Sequence, residues 1–306
     1  MIDQYTLAYT AGYADGDGCF HIRKQIRPST GRPKYLCNFI ISSTDSDVIE
    51  FFSKTFAGLR RLSNSQEKNK KHKPQYHFIG RGKKSLKISE QILPFLVEKR
   101  EEAEILIKFI NSTSIEEKEI LMNSLKHVKN NCNLIKCTDK KFLYDSIEPI
   151  LPIESDFVYL AGLIDAECSL GIFRYSNKNK PNFLYKILLQ CGNTKLPIFK
   201  WVLERFGGQV HFVERRSKNP DHRDFLTWRL SSKSLAELLP RILPYLRHKK
   251  PVCEELIRFY ETTIPLKGAP SRNSPKFKEF YAPVLEERDR IFHKVHLLNL
   301  KGIQSI

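Results

Sequence analysis

The sequence has no apolar run that approaches the roughly 18–20 residues needed to cross a membrane. Its first residues, MIDQY, lack the basic and apolar segments of a secretory signal, so we expect none. Acidic residues are few: 34 Asp and Glu stand against 51 Lys and Arg, which gives a net charge of +17. We therefore expect a soluble, intracellular protein whose partner is a polyanion.

The cysteines do not form a pattern typical of disulfides or zinc sites. The seven residues are scattered along the chain, their number is odd, and no CxxC pair has a matching second half. We interpret them as reduced thiols. Hydrophobic residues nevertheless make up 41% of the sequence and aromatic residues 11%, which is enough to build folded cores and excludes a disordered chain.

The chain repeats itself at an offset of 150 residues. LAYTAGYADGDG at 7–18 matches FVYLAGLIDAEC at 157–168. The same offset aligns three further landmarks, which are FAG with FGG, ILPFL with ILPYL, and Lys99 with Lys249. Because several separate matches share one offset, we interpret the chain as a duplicated domain, in keeping with a length of 306 residues.

Each half has the same order of predicted elements. An apolar helix with an acidic end is followed by two alternating strands, a helix, two more alternating strands and closing helices. The alternation predicts an antiparallel sheet with one apolar and one polar face, so the fold class is α+β with two αββαββα units. The Asn- and Pro-containing stretch 128–152 predicts a linker between a first half, 1–127, and a second half, 153–306.

The two repeated helices predict a shared acidic site. Small residues on one face, such as Gly12 and Gly162, would let the two helices approach closely. Their ends would then bring Asp17 and Glu167 together near a pseudo-twofold axis. Two carboxylates there would repel each other unless hard cations such as Mg²⁺ neutralised them. A pair of metals beside a phosphodiester can activate water and stabilise the leaving oxygen.

The segments TAGYADGDG at 10–18 and LAGLIDAEC at 160–168 resemble the two motifs of a single-chain, double-motif LAGLIDADG homing endonuclease. The resemblance covers nearly the whole chain, because the strands, helices and ILPFL and ILPYL landmarks follow the family's order. The sequence departs from the pattern at Cys168, where glycine is usual. Glu167 in place of aspartate lengthens one ligand arm but keeps its charge, so neither motif acid is lost.

The resemblance implies a set of catalytic and metal-binding residues. The acids Asp17 and Glu167 would bind the metal, and the backbone carbonyls of Gly16 and Ala166 would coordinate the same ions. A polar residue after the second strand would order the attacking water, and a basic residue after the Pro-aromatic turn would complete the pocket. The residues at these positions are Ser43, Asn193, Lys99 and Lys249. Each of these four has a structural alternative, as a turn residue or a solvated lysine at a helix start.

The sixth-place acids of the motifs, Asp15 and Asp165, are expected to support the helix ends and the interface between the halves. The resemblance implies Mg²⁺ as the cofactor. Mn²⁺ is expected to substitute for it, and Ca²⁺ is expected to bind without supporting efficient cleavage.

Basic residues alternate with apolar ones along the predicted strands and so form one side of each sheet. Two such sheets would make a saddle suited to reading the major groove of double-stranded DNA. The predicted contacts of the first half are His21, Arg23, Gln25, Lys34, Asn38, Gln75, His77 and Arg81. Those of the second half are Phe173, Tyr175, Lys186, Gln190, His211, Arg215, Thr227 and Arg229. A run at 68–73 is predicted to contact phosphates, and the differences between the halves predict an asymmetric target.

The resemblance and the charge together favour a monomeric, Mg²⁺-dependent, site-specific DNA endonuclease encoded within an intron. It is expected to cut both strands of a long asymmetric site and to leave short 3′ overhangs. Two alternatives stay open: a maturase that holds host intron RNA on the same fold, and a DNA-binding protein without catalysis. An organelle and a bacterial cytoplasm are both compatible with the sequence.

Overall fold

Two units of the same α+β architecture follow each other along the chain. The computed structural model describes residues 1–63, 74–130, 143–176, 183–215, 224–263, 270 and 274–300. The elements of the first unit are α1 (Gln4–Asp17), β1 (Gly18–Ile26), β2 (Pro33–Ser43), α2 (Ser46–Phe56), β3 (Leu59–Ser63), β4 (Gln75–Arg81), α3 (Lys83–Ile92), α4 (Arg100–Asn111) and α5 (Ile115–Asn130). Those of the second unit are α6 (Glu154–Glu167), β5 (Ser169–Ser176), β6 (Phe183–Asn193), α7 (Leu196–Phe206), β7 (Gln209–Val213), β8 (Phe225–Leu230), α8 (Ser232–Ile242), α9 (Lys250–Glu261) and α10 (Pro275–Leu300).

Each unit contains one four-stranded antiparallel sheet with helices on one side. The strand orders are β1-β2-β4-β3 and β5-β6-β8-β7, so the two sheets have the same topology. Side chains such as Phe20, Phe39 and Phe78 point to the helices and are fully buried. Their neighbours along each strand form a polar face on the other side. The predicted fold class, with two pseudo-symmetric αββαββα units, is therefore confirmed.

The motif helices α1 and α6 pack against each other at the centre of the molecule. A Cβ atom added to Gly12 would lie 1.9 Å from the carbonyl oxygen of Tyr159, and one added to Gly162 would lie 2.1 Å from that of Tyr9. The two backbones are therefore in direct contact. Residues 8–16 of α1 are all buried, which explains why this helix has no polar face.

The duplication extends to a closing helix in each unit. The Tyr35 hydroxyl donates to Glu119 of α5, and the Tyr185 hydroxyl donates to Asp289 of α10 over 2.7 Å. The two acids are 170 residues apart, whereas the tyrosines keep the offset of 150. Helix α10 begins 160 residues after α5, and Asp289 lies ten residues further along its helix than Glu119 does. The sequence analysis assigned no element to 115–127, and α5 occupies the first three residues of the predicted linker.

Other boundaries and one pairing also differ from the expectations. The apolar spacing of 282–300 predicts a final helix with Pro283 near its start, but this helix begins at Pro275, so that Pro283 lies inside it. Cys168 and Cys191 are paired as a disulfide, so the expectation of seven free thiols is wrong for these two, which the fold brings side by side. Residues 131–142 of the predicted linker lie outside the described part of the chain. Among the helices that the structure describes, none has the length and apolar character of a membrane span.

The contact between the motif helices predicts a cost for any side chain at its centre. We expect Gly12→Ala to lower the free energy of unfolding by about 1–3 kcal/mol, because the added methyl group cannot fit without separating the helices. Gly171→Ala is the control, since its methyl group would meet only the Asn299 amide nitrogen at 3.5 Å. Urea unfolding of both variants would measure the difference, and equal stability would contradict the prediction.

Candidate active site at the ends of the motif helices

Asp17 and Glu167 end the two motif helices and lie beside each other. A Cβ atom added to Gly16 would come within 2.5 Å of the Ala166 Cβ and 2.8 Å of the Glu167 Cγ. Both acids are exposed to solvent, unlike the rest of their helix ends. The close approach of the helices thus places one acid from each half at the same point, as the sequence analysis predicts.

The surroundings of the acid pair disfavour negative charge. Solvent reaches the Asp17 carboxylate, but the protein atoms around it remove part of its hydration. This burial, followed by the negative charge of Glu167, raises the pKa of Asp17 from 3.8 to about 6, while Lys99 and Lys249 act in the opposite direction. A bound cation would relieve this repulsion, since it favours the ionised form of both acids.

A cleft of about 690 Å³ lies next to the pair. Glu167 and Gly16 line it, together with residues of the turn before α4 and of the end of β6. The other lining residues are Asp15, Glu98, Lys99, Gly192, Asn193, Thr194, Lys195, Arg215 and Phe225. The cleft therefore contains residues of both halves, including three predicted catalytic residues, which are Glu167, Lys99 and Asn193.

Asp15 and Asp165 organise the turns that carry the predicted lysines. The Asp15 carboxylate accepts backbone hydrogen bonds from Val97 at 2.8 Å and Lys99 at 2.8 Å. Asp165 accepts the equivalent bonds from Arg247 at 2.7 Å and Lys249 at 2.8 Å. Each acid also accepts a hydrogen bond from a tyrosine of the other half. Both acids thus support helix ends and the interface, as the sequence analysis predicts.

Lys99 and Lys249 reach the carboxyl ends of the motif helices. The Lys99 ammonium donates to the carbonyl oxygens of Ala14, Gly16 and Gly18 over 2.8–2.9 Å. Lys249 donates to those of Ile164, at 2.5 Å, and Asp165, at 3.1 Å. Burial lowers the pKa of Lys249, although Asp165 and the acid pair oppose this shift. The lysines satisfy carbonyls that a helix end leaves free, and they offset the charge of the acid pair.

The predicted water-ordering residues lie at equivalent places but have different partners. Ser43 accepts a hydrogen bond from the backbone nitrogen of Asp45 at 3.1 Å. The Asn193 amide donates to the Glu98 carboxylate over 2.6 Å, and its carbonyl oxygen accepts from the backbone of Thr194 and Lys195. Both residues therefore have a turn-forming role, which was the structural alternative, and Asn193 also lines the cleft.

Glu98 is a member of this site that the sequence analysis did not identify. Burial raises its pKa to about 7, against the effect of Lys99 and Lys195. The signal in the sequence was its place directly before Lys99. Its equivalent in the second half is His248, so the two sides of the site differ in charge.

The donors at this site fit a hard cation that is shared with a substrate. Among the described residues, no group of three or more His, Cys, Asp or Glu side chains could hold a metal ion. Mg²⁺ does not need such a cage, because it is commonly bound by one or two carboxylates together with water and phosphate oxygens. The carboxylates of Asp17 and Glu167 meet that requirement. Gly16 directs its carbonyl oxygen to Lys99, so its predicted coordination of the metal stays a prediction, as does that of Ala166.

The predicted DNA contacts of the first half share the polar face of its sheet. His21 pairs with Asn38 across β1 and β2, and Asn38 pairs with Arg81 across β2 and β4. Residues directly opposite each other in an antiparallel pair point to the same side. The same register brings Arg23, Gln25, Lys34, Gln75 and His77 to this face. Arg61, which is opposite His77 and exposed, belongs with them but was not among the predicted contacts.

The second half presents a more apolar version of this face. Phe173 pairs with Lys186 across β5 and β6, and Tyr175 pairs with Leu184. Gln190, His211 and Arg229 lie on the same side, and Arg215 stacks on Phe225 with its guanidinium carbon 4.7 Å from the ring centroid. Their contacts with DNA stay predictions.

Two predicted nucleic-acid contacts need separate comment. Thr227 lies on the polar face between Gly192 and His211 but is 0% exposed, which disfavours its predicted contact with a base. Alternation along the strand reports the side of the sheet but not whether neighbouring strands cover a short side chain. The Lys-rich run at 68–73 lies outside the described residues.

The chain is similar in fold to solved LAGLIDADG homing endonucleases. I-SmaMI, a meganuclease bound to uncleaveable DNA with a TTCT central four, is 14% identical with a TM-score of 0.59, and the match covers 94% of this chain and 100% of that one. I-CpaMI, bound to uncleaved DNA, is 13% identical with a TM-score of 0.61, and the match covers 96% of this chain and 99% of that one. I-GzeII, in complex with its DNA target, is 14% identical with a TM-score of 0.59, and the match covers 94% of this chain and 98% of that one.

A further structure of I-SmaMI was solved on its uncleaved DNA target in the presence of calcium ions. No protein-family model matches the sequence, and no curated protein matches it. The identities of 12–14% show the fold alone. The chain therefore has the single-chain, double-motif LAGLIDADG fold over nearly its whole length.

The raised pKa of Asp17 predicts a pH dependence for cation binding. A ligand carboxylate must be ionised, and with a pKa of about 6 Asp17 is mostly charged at pH 7 and mostly protonated at pH 5. We expect the affinity for Ca²⁺, measured by calorimetry, to fall about tenfold between these pH values. Asp17→Asn should weaken binding and remove this dependence, whereas Glu148→Gln, at an exposed acid of the connection, should change neither. A constant affinity from pH 7 to pH 5 would contradict the assignment.

Proposed function

We propose that the protein is a site-specific DNA endonuclease that hydrolyses one phosphodiester bond in each strand of a duplex. The observation that carries this proposal is the convergence of Asp17 and Glu167, one from each half, at the ends of the two packed helices. Strand β1 begins directly after Asp17, and β5 begins two residues after Glu167, so the polar faces of the two sheets continue from the site. DNA held along those faces would have its backbone at the acid pair.

The chemistry divides between a cation and the residues of the chain. Mg²⁺ held by Asp17 and Glu167 would activate water and stabilise the leaving oxygen. Lys99 and Lys249 hold the helix ends in place and limit the repulsion between the two acids. Asn193 uses one amide hydrogen on Glu98 and keeps a second with which it can orient a water molecule.

The polar faces support double-stranded DNA as the substrate. Basic residues predominate on the first face, and aromatic residues such as Phe173 and Tyr175 are exposed on the second. Arginine and lysine can read guanine, glutamine and asparagine can read adenine, and apolar groups contact the thymine methyl. Because equivalent positions differ, we propose a long asymmetric target. The solved relatives of the same fold were bound to DNA, which supports this partner.

The finer features of the proposal follow from the motif resemblance. We propose that the enzyme acts as a monomer on Mg²⁺ inside the cell, that it is encoded within an intron, and that it leaves short 3′ overhangs. The structure of I-SmaMI with calcium ions supports the use of a divalent cation at this fold.

Cleavage of a DNA library tests the proposal directly. Sites cut from a genomic library should share one asymmetric sequence, and EDTA should abolish cutting. On that site we expect Asp17→Asn and Glu167→Gln each to reduce double-strand cleavage by at least about 100-fold, because each acid serves one strand.

The same variants should keep specific DNA binding in a gel-shift assay with Ca²⁺, since the sheet faces are unchanged. Glu148→Gln should cut as fast as the unchanged protein. Undiminished cleavage by either acid variant, or failure of the library to yield any cut site, would contradict the proposed function.

The charge of the sheet faces predicts a steep salt dependence of DNA binding. If six to ten phosphates are neutralised, the association constant should fall about 10³–10⁵-fold between 50 and 200 mM salt, because bound counterions are released. The slope of the logarithm of the association constant against the logarithm of the salt concentration measures this effect. Arg61→Ala should reduce its magnitude by about one, whereas Lys200→Ala, on helix α7, should leave it unchanged. Fluorescence anisotropy with labelled duplex measures both, and a shallow slope would exclude extensive phosphate contact.

A further inference from the structure

The centre of the interface between the halves is self-complementary. The Tyr159 hydroxyl donates to Asp15 over 2.5 Å, and the Tyr9 hydroxyl donates to Asp165 over 2.8 Å. These residues are equivalent at the offset of 150, as are Gly12 and Gly162 in the backbone contact. Two copies of the same half could form all of these contacts equally well. These repeated contacts therefore do not by themselves distinguish the unlike half from a like half.

The contacts on either side of the helices are different, because they pair residues of opposite charge. Asp45 of the first half lies 2.5 Å from the Nδ1 atom of His248 in the second. Lys195 of the second half lies 3.2 Å from Glu102 and 3.7 Å from Glu98 of the first. The first pair lies on one side of the pseudo-twofold axis and the second group lies on the other. The residues that each half contributes to these contacts are called its patch.

The offset of 150 reveals how these patches are related. Position 45 corresponds to 195, position 98 to 248, and position 102 to 252. The first-half patch contains Asp45, Glu98 and Glu102, and the second-half patch contains Lys195, His248 and Val252. One half therefore has only acids at positions where the other half has two bases and an apolar residue.

Like pairing would bring each patch against itself. Two first halves would set Asp45 of one against Glu98 and Glu102 of the other, and the same contact would occur twice around the axis. The side chains of Glu98 and Glu102 are each only 5% exposed, so water could screen the repulsion very little. Two second halves would set Lys195 of one against His248 and Val252 of the other, neither of which carries a carboxylate.

We propose that these patches select the unlike half, so that the interface accepts a second-half partner and rejects another copy of the first half. The repeated contacts of the motif helices supply association that does not depend on the partner, and the patches supply specificity through repulsion in the wrong pairs. This selection does not depend on nuclease activity, and it would persist in a chain that binds no DNA. It explains how a duplicated chain avoids pairing with the like half of a second molecule.

Charge reversal in the intact chain tests the patches first. At pH 8, where Glu98 is ionised, Lys195→Glu should lower the melting temperature by about 5–10 °C, because three acids then meet in a poorly hydrated place. Adding Glu98→Lys should recover at least half of that loss. Adding Glu90→Lys instead, at an exposed acid of the first half on helix α3 and outside the patches, should recover none of it.

Cutting the chain tests the choice of partner. A protease site is inserted after Asn130, the exposed last residue of α5, so that Tyr144 and Ile150, which contact the second half, stay with that half. The cut protein is unfolded in urea, refolded at pH 8 and weighed by native mass spectrometry. We expect only pairs of unlike halves. With Glu98→Lys and Glu102→Lys together, Asp45 would face lysines in a like pair, so pairs of two first halves should appear.

The outcomes separate the proposal from its rivals. A statistical 1:2:1 mixture of pairs from the unchanged halves would overturn it, as would the absence of like pairs from the double variant. An unchanged melting temperature for Lys195→Glu, or equal recovery with Glu90→Lys, would also overturn it. The melting measurements need no separated halves, so they decide the matter if the cut halves do not refold. None of these readouts measures cleavage, so a failure of the proposed endonuclease activity would be distinguishable.

Discussion

The backbone contact between α1 and α6 is the constraint on which the other features of the molecule depend. Glycine at positions 12 and 162 removes the side chains that would hold the helices apart, and the carbonyl oxygens of Tyr159 and Tyr9 occupy that space. Because the helices meet along their length, their ends also meet, and the acids that end them share one small volume. A pair of helices spaced by larger side chains would carry the same residues without forming the site.

Bringing the two acids together causes electrostatic repulsion between their carboxylates, and the surrounding residues limit this repulsion. Burial and Glu167 raise the pKa of Asp17 to about 6, while two lysines bind the helix-end carbonyls next to it. Asp15 and Asp165 hold the turns that carry those lysines, so the sixth and eighth places of each motif cooperate. At the flanks the symmetry is broken, since Glu98 on one side corresponds to His248 on the other. The halves thus make equivalent contacts at the centre of their interface and have different residues in the patches beside it.

The repeated pattern of the sequence predicted the two units, the acids at their axis and the polar faces of the sheets. Period-two alternation assigned His21, Asn38 and Arg81 to one side, because that depends only on strand geometry. The same argument did not predict that Thr227, on the polar face, is fully buried, since burial depends on tertiary packing. The sequence analysis did not identify helix α5, because Glu119 of α5 and its counterpart Asp289 of α10 are 170 rather than 150 residues apart.

The amino-acid sequence by itself determined what is local or repeated: the alternating strands, the paired motifs, the excess of basic charge and the identity of the acids. Only the tertiary structure decided which distant groups meet. It joined Asn193 to Glu98, Lys195 to Glu102 and Cys168 to Cys191, and none of these pairs is marked by spacing along the chain. The physical reason is that periodicity records the direction of a side chain from its own backbone, whereas pKa, ion pairing and burial depend on the packing of separate elements.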